Sequence, residues 1–164
     1  MGSRLVVQCG LPGVGKSTVA AAIADRIGGE RVRSDVVRAE LFDEPAYTPA
    51  EKDRVYATML ERAQRALETG TPAVIDATYE YRRHRDQVAT MADTLGVDLT
   101  LVHVVCDERV ARKRIRERED DPSEADVSVY ENARDRFEPL ERDHVTVDNS
   151  GSLPRTREQL DEYF

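Results

Sequence analysis

The sequence contains no tryptophan, two cysteines and three histidines. So few cysteines exclude a small fold held together by disulfides, and we expect both thiols to be reduced. The histidines show no metal-ligand spacing, which argues against a zinc-type site. No apolar run is long enough to cross a membrane, and we expect a cytoplasmic protein. The 164 residues suffice for one hydrophobic core, so residues 1–164 are predicted to form a single domain.

Lysine is scarce, and negative charge dominates. The 24 basic residues include only the lysines Lys16, Lys52 and Lys113, against 32 acidic residues and a formal net charge of −8. Such a halophile-like acidic surface is typical of proteins that work in concentrated salt, where repulsion is strongly screened. A GC-rich genome, which favours arginine over lysine, would give the same composition. The charge disfavours a polyanionic partner such as nucleic acid, because phosphate contacts need cations.

The strongest motif occupies residues 10–18, where GLPGVGKST fits the phosphate-binding pattern G-x-x-x-x-G-K-[ST]. Glycines let the backbone N–H groups turn toward phosphates, the lysine reaches the β- and γ-phosphates, and the serine hydroxyl ligates Mg²⁺. Apolar residues 5–9 predict a buried strand before the loop, and residues 19–27 have helical spacing after it. The loop therefore lies at a helix N-terminus, which favours phosphate. We predict that a nucleoside triphosphate contacts Gly10, Pro12, Gly13, Val14, Gly15, Lys16, Ser17 and Thr18.

Strand and helix patterns alternate along the chain, which predicts a parallel sheet covered by helices on both faces. The predicted strands are residues 5–9, 31–34, 72–76, 98–106 and 144–148. Further helices are predicted at 36–43, 49–69, 82–95, 108–118, 123–137 and 154–164. The helix at 49–69 opens with a capping box formed by Thr48 and Glu51.

The segment Ser34-Asp35-Val36-Val37-Arg38 follows the second predicted strand, at the edge where open α/β sheets bind ligands. A kinase that acts on a hydroxyl needs a carboxylate to take or orient the proton, and gains from a cation on the substrate. Asp35 and Arg38 are three residues apart at the start of a helix, so we expect them to face the same side. A helix-capping role would equally account for Asp35.

Asp76 ends the third predicted strand. Its carboxylate could hold a magnesium-bound water beside Ser17, or orient Arg38 or the substrate; a purely structural role in the loop is the alternative. Tyr79 and Tyr81, just beyond it, are candidates for substrate contact. The loop at residues 149–152 is a candidate contact for the nucleotide base.

Six basic residues crowd into positions 109–118 of an otherwise acidic chain. Charge on a helix usually marks a solvated face. A polar break and a second capped helix follow, however, and this layout predicts a short helical lid at about residues 109–126 that closes over phosphates. Arg114 and Arg118 share one face of the helix, and Arg112 and Arg116 share another. One pair is therefore expected to face the nucleotide, where an arginine stabilises the transition state.

With these residues in place, the chain resembles the small P-loop kinases that include phage-type polynucleotide 5′-kinase, chloramphenicol phosphotransferase and the zeta-toxin group. Within that set it is most similar to the predicted-kinase branch. The resemblance runs nearly end to end. It is carried by residues 10–18, 34–38, 76–78, 114–118, 121–126 and 137–140.

The resemblance implies a three-layer α/β/α fold with a five-stranded parallel sheet of order 2-3-1-4-5, and transfer of the γ-phosphoryl group of ATP, with Mg²⁺, to a hydroxyl. The acceptor would be a small molecule or a nucleic-acid 5′ end. It also implies that Asp35 is the base, that Arg38 clamps the acceptor, and that Arg114 or Arg118 is the lid arginine. A nucleoside-monophosphate kinase, and a nucleotide-dependent switch with slow hydrolysis, are the alternatives.

Overall fold

The computed structural model describes residues 3–117 and 124–164. Within these ranges the strands are β1 (Arg4–Cys9), β2 (Glu30–Arg33), β3 (Ala73–Asp76), β4 (Asp98–Val105) and β5 (Val145–Asp148). The helices are α1 (Lys16–Ile27), α2 (Ser34–Leu41), α3 (Pro49–Glu68), α4 (Arg82–Leu95), α5 (Glu108–Arg116), α6 (Glu124–Arg136) and α7 (Leu153–Asp161). None of these helices is long and apolar enough to span a membrane.

The five strands form one parallel sheet in the order β2-β3-β1-β4-β5, which confirms the expected topology. In this register Gln8 of β1 lies beside Asp76 of β3, and Asp76 lies beside Arg33 of β2. The carboxyl ends of β1, β3 and β2 therefore meet at one edge of the sheet. Loops at such an edge carry the ligand sites of open α/β folds.

Helices cover both faces of the sheet because successive strand residues point to opposite sides. In β1, Leu5 and Val7 join a buried core with α3 and α4, whereas Val6 joins a second core with α1 and α7. The side chains on both faces of β1 are thus apolar, as expected for a sheet buried between two helical layers.

The second strand and its helix start earlier than the sequence pattern predicts. β2 ends at Arg33, whose extended backbone occupies the N-cap position, and α2 begins at Ser34 rather than at residue 36. Asp35 therefore lies inside the first helical turn, and its carboxylate accepts from the Val36 N–H of that turn. The interpretation of Asp35 as the N-cap residue is wrong, because Arg33 occupies that position.

The predicted lid at residues 109–126 falls only partly within the described residues. α5 ends at Arg116 and packs through the buried side chains of Ala111 and Ile115 against Tyr130 of α6. Arg118 and the polar break at residues 119–122 lie outside the described residues, and the lid stays a prediction.

Candidate functional site

The phosphate loop connects β1 to α1 and turns through two glycines with left-handed backbones. Gly13 has φ +83° and Gly15 has φ +84°, a region that other residues enter only with strain. A Cβ atom on Gly15 would lie 2.2 Å from Nδ2 of Asn149, and one on Gly13 would lie 2.9 Å from the side chain of Ile115. The loop therefore needs glycine for both its curvature and its close packing.

Hydrogen bonds hold the loop against the sheet. The Lys16 ammonium donates to the Leu11 carbonyl at 2.9 Å, across the span of the loop. The Gln8 amide donates to the Lys16 carbonyl at 2.6 Å. The Gly10 N–H donates to the Thr78 carbonyl at 3.1 Å, which joins the loop to the segment after β3.

Asn149 and Arg114 fasten the loop from the opposite side. The Asn149 amide donates to the Val14 carbonyl at 2.8 Å and accepts from the Thr156 hydroxyl at 2.6 Å. Arg114 donates to the carbonyls of Asn149 at 2.7 Å and Val14 at 3.5 Å. Asn149, proposed above as part of a base-binding loop, is buried behind the phosphate loop.

Of the two arginine faces on α5, the one that carries Arg114 meets the phosphate loop. Arg112, on the other face, pairs with Glu108 at 2.8 Å and with Glu131 of α6 at 2.6 Å. Both carboxylates raise the pKa of the Arg112 guanidinium above its ordinary value. Arg112 thus links α5 to α6, whereas Arg114 contacts the phosphate loop.

Ser17 and Asp76, the two predicted metal-site residues, meet at the end of the loop. The Ser17 hydroxyl donates to Oδ2 of Asp76 at 3.3 Å, and the Gln8 amide donates to Oδ1 at 3.0 Å. Asp76 is buried, and the single oxygen of the Gln8 amide is buried with no partner in the part of the chain that is described. Mg²⁺ prefers such oxygen donors, with phosphate and water completing its shell. This pair fits Mg²⁺, held directly or through water.

Asp35 and Arg38, expected to face one side together, have separate partners. The Asp35 carboxylate is 67% exposed, pairs with Arg33 at 2.9 Å and accepts from the Val36 N–H at 2.9 Å. The Arg38 guanidinium is mostly buried, pairs with Glu51 and lies 4.7 Å from the ring centre of Tyr47. Asp35 is therefore open to solvent and a substrate, whereas Arg38 is already engaged.

Glu51 pairs with Arg38, although the sequence pattern predicts that it caps the N-terminus of α3. The Thr48 hydroxyl accepts from the Glu51 N–H at 3.2 Å, which is half of the predicted capping box. The Glu51 carboxylate, instead of returning to Thr48, accepts from the Ala46 N–H at 2.8 Å and pairs with Arg38. Burial raises the pKa of the Glu51 carboxyl, but the Ala46 N–H and the Arg38 cation outweigh it and the pKa lies below its ordinary value.

A cleft of about 690 Å³ opens between α3, the start of α4 and α6. Its walls include Tyr47, Lys52, Tyr81, Arg83, Asn132 and Arg136. We call it the acceptor cleft, after the role proposed for it below. Behind it lies Glu80, a buried carboxylate that pairs with Lys52 and, at 3.3 Å, with Arg136. The sequence pattern did not indicate Glu80 or the cleft. For Lys52, the one signal in the sequence was that lysine is scarce in this chain.

The two candidate tyrosines after Asp76 have different environments. Tyr81 lines the acceptor cleft, but Tyr79 is fully buried, so the proposal that Tyr79 contacts substrate is wrong. Tyr79 packs edge-on against Tyr56, with ring centres 4.8 Å apart, and its N–H donates to the Tyr56 hydroxyl at 3.0 Å. Its backbone φ of +48° turns the chain between the two tyrosines.

Arg85 joins two segments that adjoin residues of the acceptor cleft. It is almost fully buried and donates to the carbonyls of Tyr79 at 2.8 Å, Glu80 at 3.0 Å, Pro139 at 3.1 Å and also Glu138. Burial lowers the pKa of its guanidinium below the ordinary value. One cation thereby ties the segment after β3 to the segment after α6.

His84 and His103 pack as structural side chains. His84 stacks on Tyr56, with ring centres 4.2 Å apart, and bonds Asp53 at 2.9 Å. Burial lowers the pKa of His84 despite that carboxylate. His103 stacks on Phe137, and burial lowers its pKa to about 4.

Comparison with known proteins assigns the family. The family model described as "AAA domain" matches residues 5–140, which is most of the chain. The chain belongs to this AAA domain family. A UPF0200 protein of Halobacterium salinarum is 27% identical over 165 residues, covering 92% of this chain and 86% of its own length.

Solved structures of similar fold bear kinase names. A gluconokinase from Sinorhizobium meliloti superposes with a TM-score of 0.74 at 23% identity, covering 96% of this chain and 88% of the other. The APS kinase of Mycobacterium tuberculosis superposes with a TM-score of 0.78 at 15% identity, covering 98% and 96%. At such identities the likeness is one of fold: this AAA-family chain has a P-loop kinase-like fold.

Proposed function

We propose that this protein is an ATP-dependent kinase that transfers the γ-phosphoryl group to a hydroxyl of a small molecule or a nucleic-acid 5′ end. Within its family we assign it to the group of polynucleotide 5′-kinase, chloramphenicol phosphotransferase and zeta toxin, and to its predicted-kinase branch. The supporting observation is that an acceptor-sized cleft and an exposed carboxylate, Asp35, share one sheet edge with the phosphate loop.

The phosphate loop and the acceptor cleft are close along the chain as well as at the sheet edge. Thr78 accepts from the Gly10 N–H, and Tyr81, three residues later, lines the cleft. Three residues span at most roughly 10 Å, and the turn at Tyr79 shortens that distance. A phosphate in the loop and a substrate in the cleft would therefore lie within reach of a single transfer.

Loop residues would bind and orient the triphosphate. Lys16 and the loop N–H groups would hold the β- and γ-phosphates. Ser17 and Asp76 would hold Mg²⁺, which when bound neutralises phosphate charge. Arg114, fixed beside Val14, would stabilise charge that develops on the transferred group.

On the acceptor side, the hydroxyl oxygen forms a bond to the γ-phosphorus while the bond to the β–γ bridging oxygen breaks. The ADP leaving group keeps that electron pair, and the hydroxyl proton passes to the Asp35 carboxylate. Arg38 would clamp the acceptor after exchanging Glu51 for it. A single cytoplasmic domain of this kind would need ATP, Mg²⁺ and the acceptor.

The cations of the acceptor cleft favour one alternative, a nucleoside-monophosphate kinase. Lys52, Arg83 and Arg136 line the cleft, and an acceptor phosphate would need several such cations. This alternative has no use for a base at Asp35, because the attacking phosphate oxygen carries no proton that must be removed. The two functions therefore differ in their dependence on Asp35.

The test is transfer of γ-labelled phosphate from ATP to 5′-hydroxyl oligonucleotides, small alcohols and nucleoside monophosphates, at low and molar KCl. We expect a labelled alcohol phosphate. Lys16→Ala should lower the rate on the order of 10³-fold, while Lys113→Ala, at a lysine whose side chain is 74% exposed, should not. Asp35→Asn should lower turnover roughly 10²–10⁴-fold with ATP affinity unchanged.

Two results would contradict the proposal. A labelled nucleoside diphosphate, formed equally well by Asp35→Asn, would favour the nucleoside-monophosphate kinase. Loss of ATP binding in Asp35→Asn would make Asp35 a structural residue.

A further inference from the structure

The acceptor cleft is positively charged in a negatively charged chain. Lys52, Arg83 and Arg136 line it, and among the residues that the structure describes none of its lining side chains is acidic. The chain as a whole has a formal net charge of −8. A concave site with one sign of charge attracts ligands of the opposite sign.

The ion pairs around the acceptor cleft leave positive charge for a ligand. Glu80 is one buried carboxylate shared by Lys52 and Arg136, and Arg136 remains 45% exposed. Arg83 pairs with Asp53 at 3.0 Å, and both side chains are about half exposed. An exposed pair of this kind contributes little stability. Arg83 can therefore exchange Asp53 for an anionic ligand at small cost.

Two tyrosines add flat surfaces to the cleft. Tyr47 is 71% exposed, and the ring of Tyr81 lies 4.7 Å from the Arg83 guanidinium. Aromatic faces bind the apolar face of a ring or sugar, while the cations hold its charged group. A volume of about 690 Å³ is that of a small-molecule pocket, whereas a nucleic-acid strand needs an extended groove.

We propose that the acceptor is a small alcohol that carries an anionic group, phosphate or carboxylate, bound by Arg83 and Arg136 with its ring or sugar face on Tyr47 and Tyr81. This rests on the proposed kinase function. The phosphoryl group still passes from ATP to the hydroxyl oxygen. The anionic group is chemically unchanged and serves to position the acceptor.

Binding can be measured without turnover because the chain has no tryptophan. Tyr47→Trp places one fluorophore in the acceptor cleft. The probes are two matched pairs: ribose 5-phosphate against ribose, and gluconate against glucose. Titration of each probe, with a non-hydrolysable ATP analogue and Mg²⁺ present, gives four dissociation constants at constant ionic strength.

We expect the charged member of at least one pair to bind about tenfold or more tightly than its neutral partner. The pair that responds distinguishes a phosphate from a carboxylate. Adding Arg83→Gln or Arg136→Gln should remove most of this preference. Arg142→Gln is the matched control, because Arg142 is 48% exposed and pairs with Asp86 outside the cleft.

Equal affinity within both pairs, no binding of either charged probe, or a preference that survives both arginine substitutions would overturn the proposal. A parallel assay of ADP release tests the kinase function separately. Selective binding without phosphoryl transfer would refute the kinase and leave the anion site. Transfer to neutral alcohols alone would refute the anion site and leave the kinase.

Discussion

The phosphate loop and the acceptor cleft share one sheet edge but are assembled in opposite ways. The loop is a run of nine consecutive residues with glycine geometry, and its carbonyl groups accept from the amides of Gln8 and Asn149 and from the cations of Lys16 and Arg114. The cleft is assembled from α3, the segment after β3 and α6, and relies on charged side chains that remain partly exposed. A contiguous loop suits a triphosphate, a ligand that many proteins bind in the same way. A wall of separate side chains suits a variable substrate, because substituting one residue changes the substrate contacts without disturbing the rest. Triphosphate binding is thus a property of one local motif, and acceptor choice is a property of the tertiary structure.

The largest expected effect is on the acceptor side, from Arg85→Met. The substitution removes a buried donor and leaves four carbonyls without their partner, so we expect a loss of about 3–5 kcal/mol in the free energy of unfolding. Urea unfolding measures it, with Arg65→Met, at an exposed residue of α3, as the control that should change by less than about 0.5 kcal/mol. If the comparison holds, the folded fraction of Arg85→Met still binds ATP normally; weakened ATP binding would mean that the two sides are not separable.

On the nucleotide side, Gly15→Ala should raise the dissociation constant of ATP on the order of 100-fold. The left-handed backbone costs alanine about 1–2 kcal/mol, and the added methyl group would collide with Asn149. Gly28→Ala is the control, because Gly28 has φ +64° but no atom lies within 4 Å of its added Cβ. Calorimetric titration with an ATP analogue should separate the two variants; similar affinities would show that close packing against Asn149 is unimportant.

A smaller effect is expected from Asp76→Asn, which keeps the size of the side chain and removes its charge. We expect the Mg²⁺ concentration needed for half-maximal nucleotide binding to rise about tenfold, because an amide is a weaker magnesium ligand and a weaker acceptor for Ser17. Titration with Mg²⁺ at fixed nucleotide measures it, beside Asp25→Asn at an exposed aspartate. An unchanged Mg²⁺ requirement would assign Asp76 to the structure of the loop alone.

The nucleotide side could be predicted because its determinants are local. The motif at residues 10–18 predicts the phosphate loop. The expected sheet order places the strand that ends at Asp76 beside the strand before the loop, and the Asp76 carboxylate accordingly lies at Ser17. Helical spacing predicts that Arg112 and Arg114 lie on different faces of α5, and their partners do differ, although the sequence could not choose which face meets the loop. That choice depends on Glu131 of α6, which pairs with Arg112 and leaves Arg114 to the loop.

The acceptor side could not be predicted because its contacts join distant parts of the chain. Glu51 fits a capping-box pattern, and only the folded chain shows its carboxylate turned toward Arg38. Glu80 gives no signal in the sequence, since its partner Arg136 is 56 residues away. Tyr79 and Tyr81 look equivalent in the sequence. In the fold, Tyr79 has a positive φ and lies in the core, whereas Tyr81 lies at the cleft.

The bond between Asn149 and Val14 has a consequence for how the protein is made. A ribosome completes the motif at residues 10–18 long before it reaches β5, yet the loop is held in shape by Asn149, which is in turn held by Thr156 of α7. A nascent chain that contains the whole motif but not yet β5 and α7 therefore lacks the hydrogen bonds that hold the loop in shape. Nucleotide capture therefore has to wait until β5 and α7 have been made, and bound nucleotide is a sign that this strand and this helix have docked.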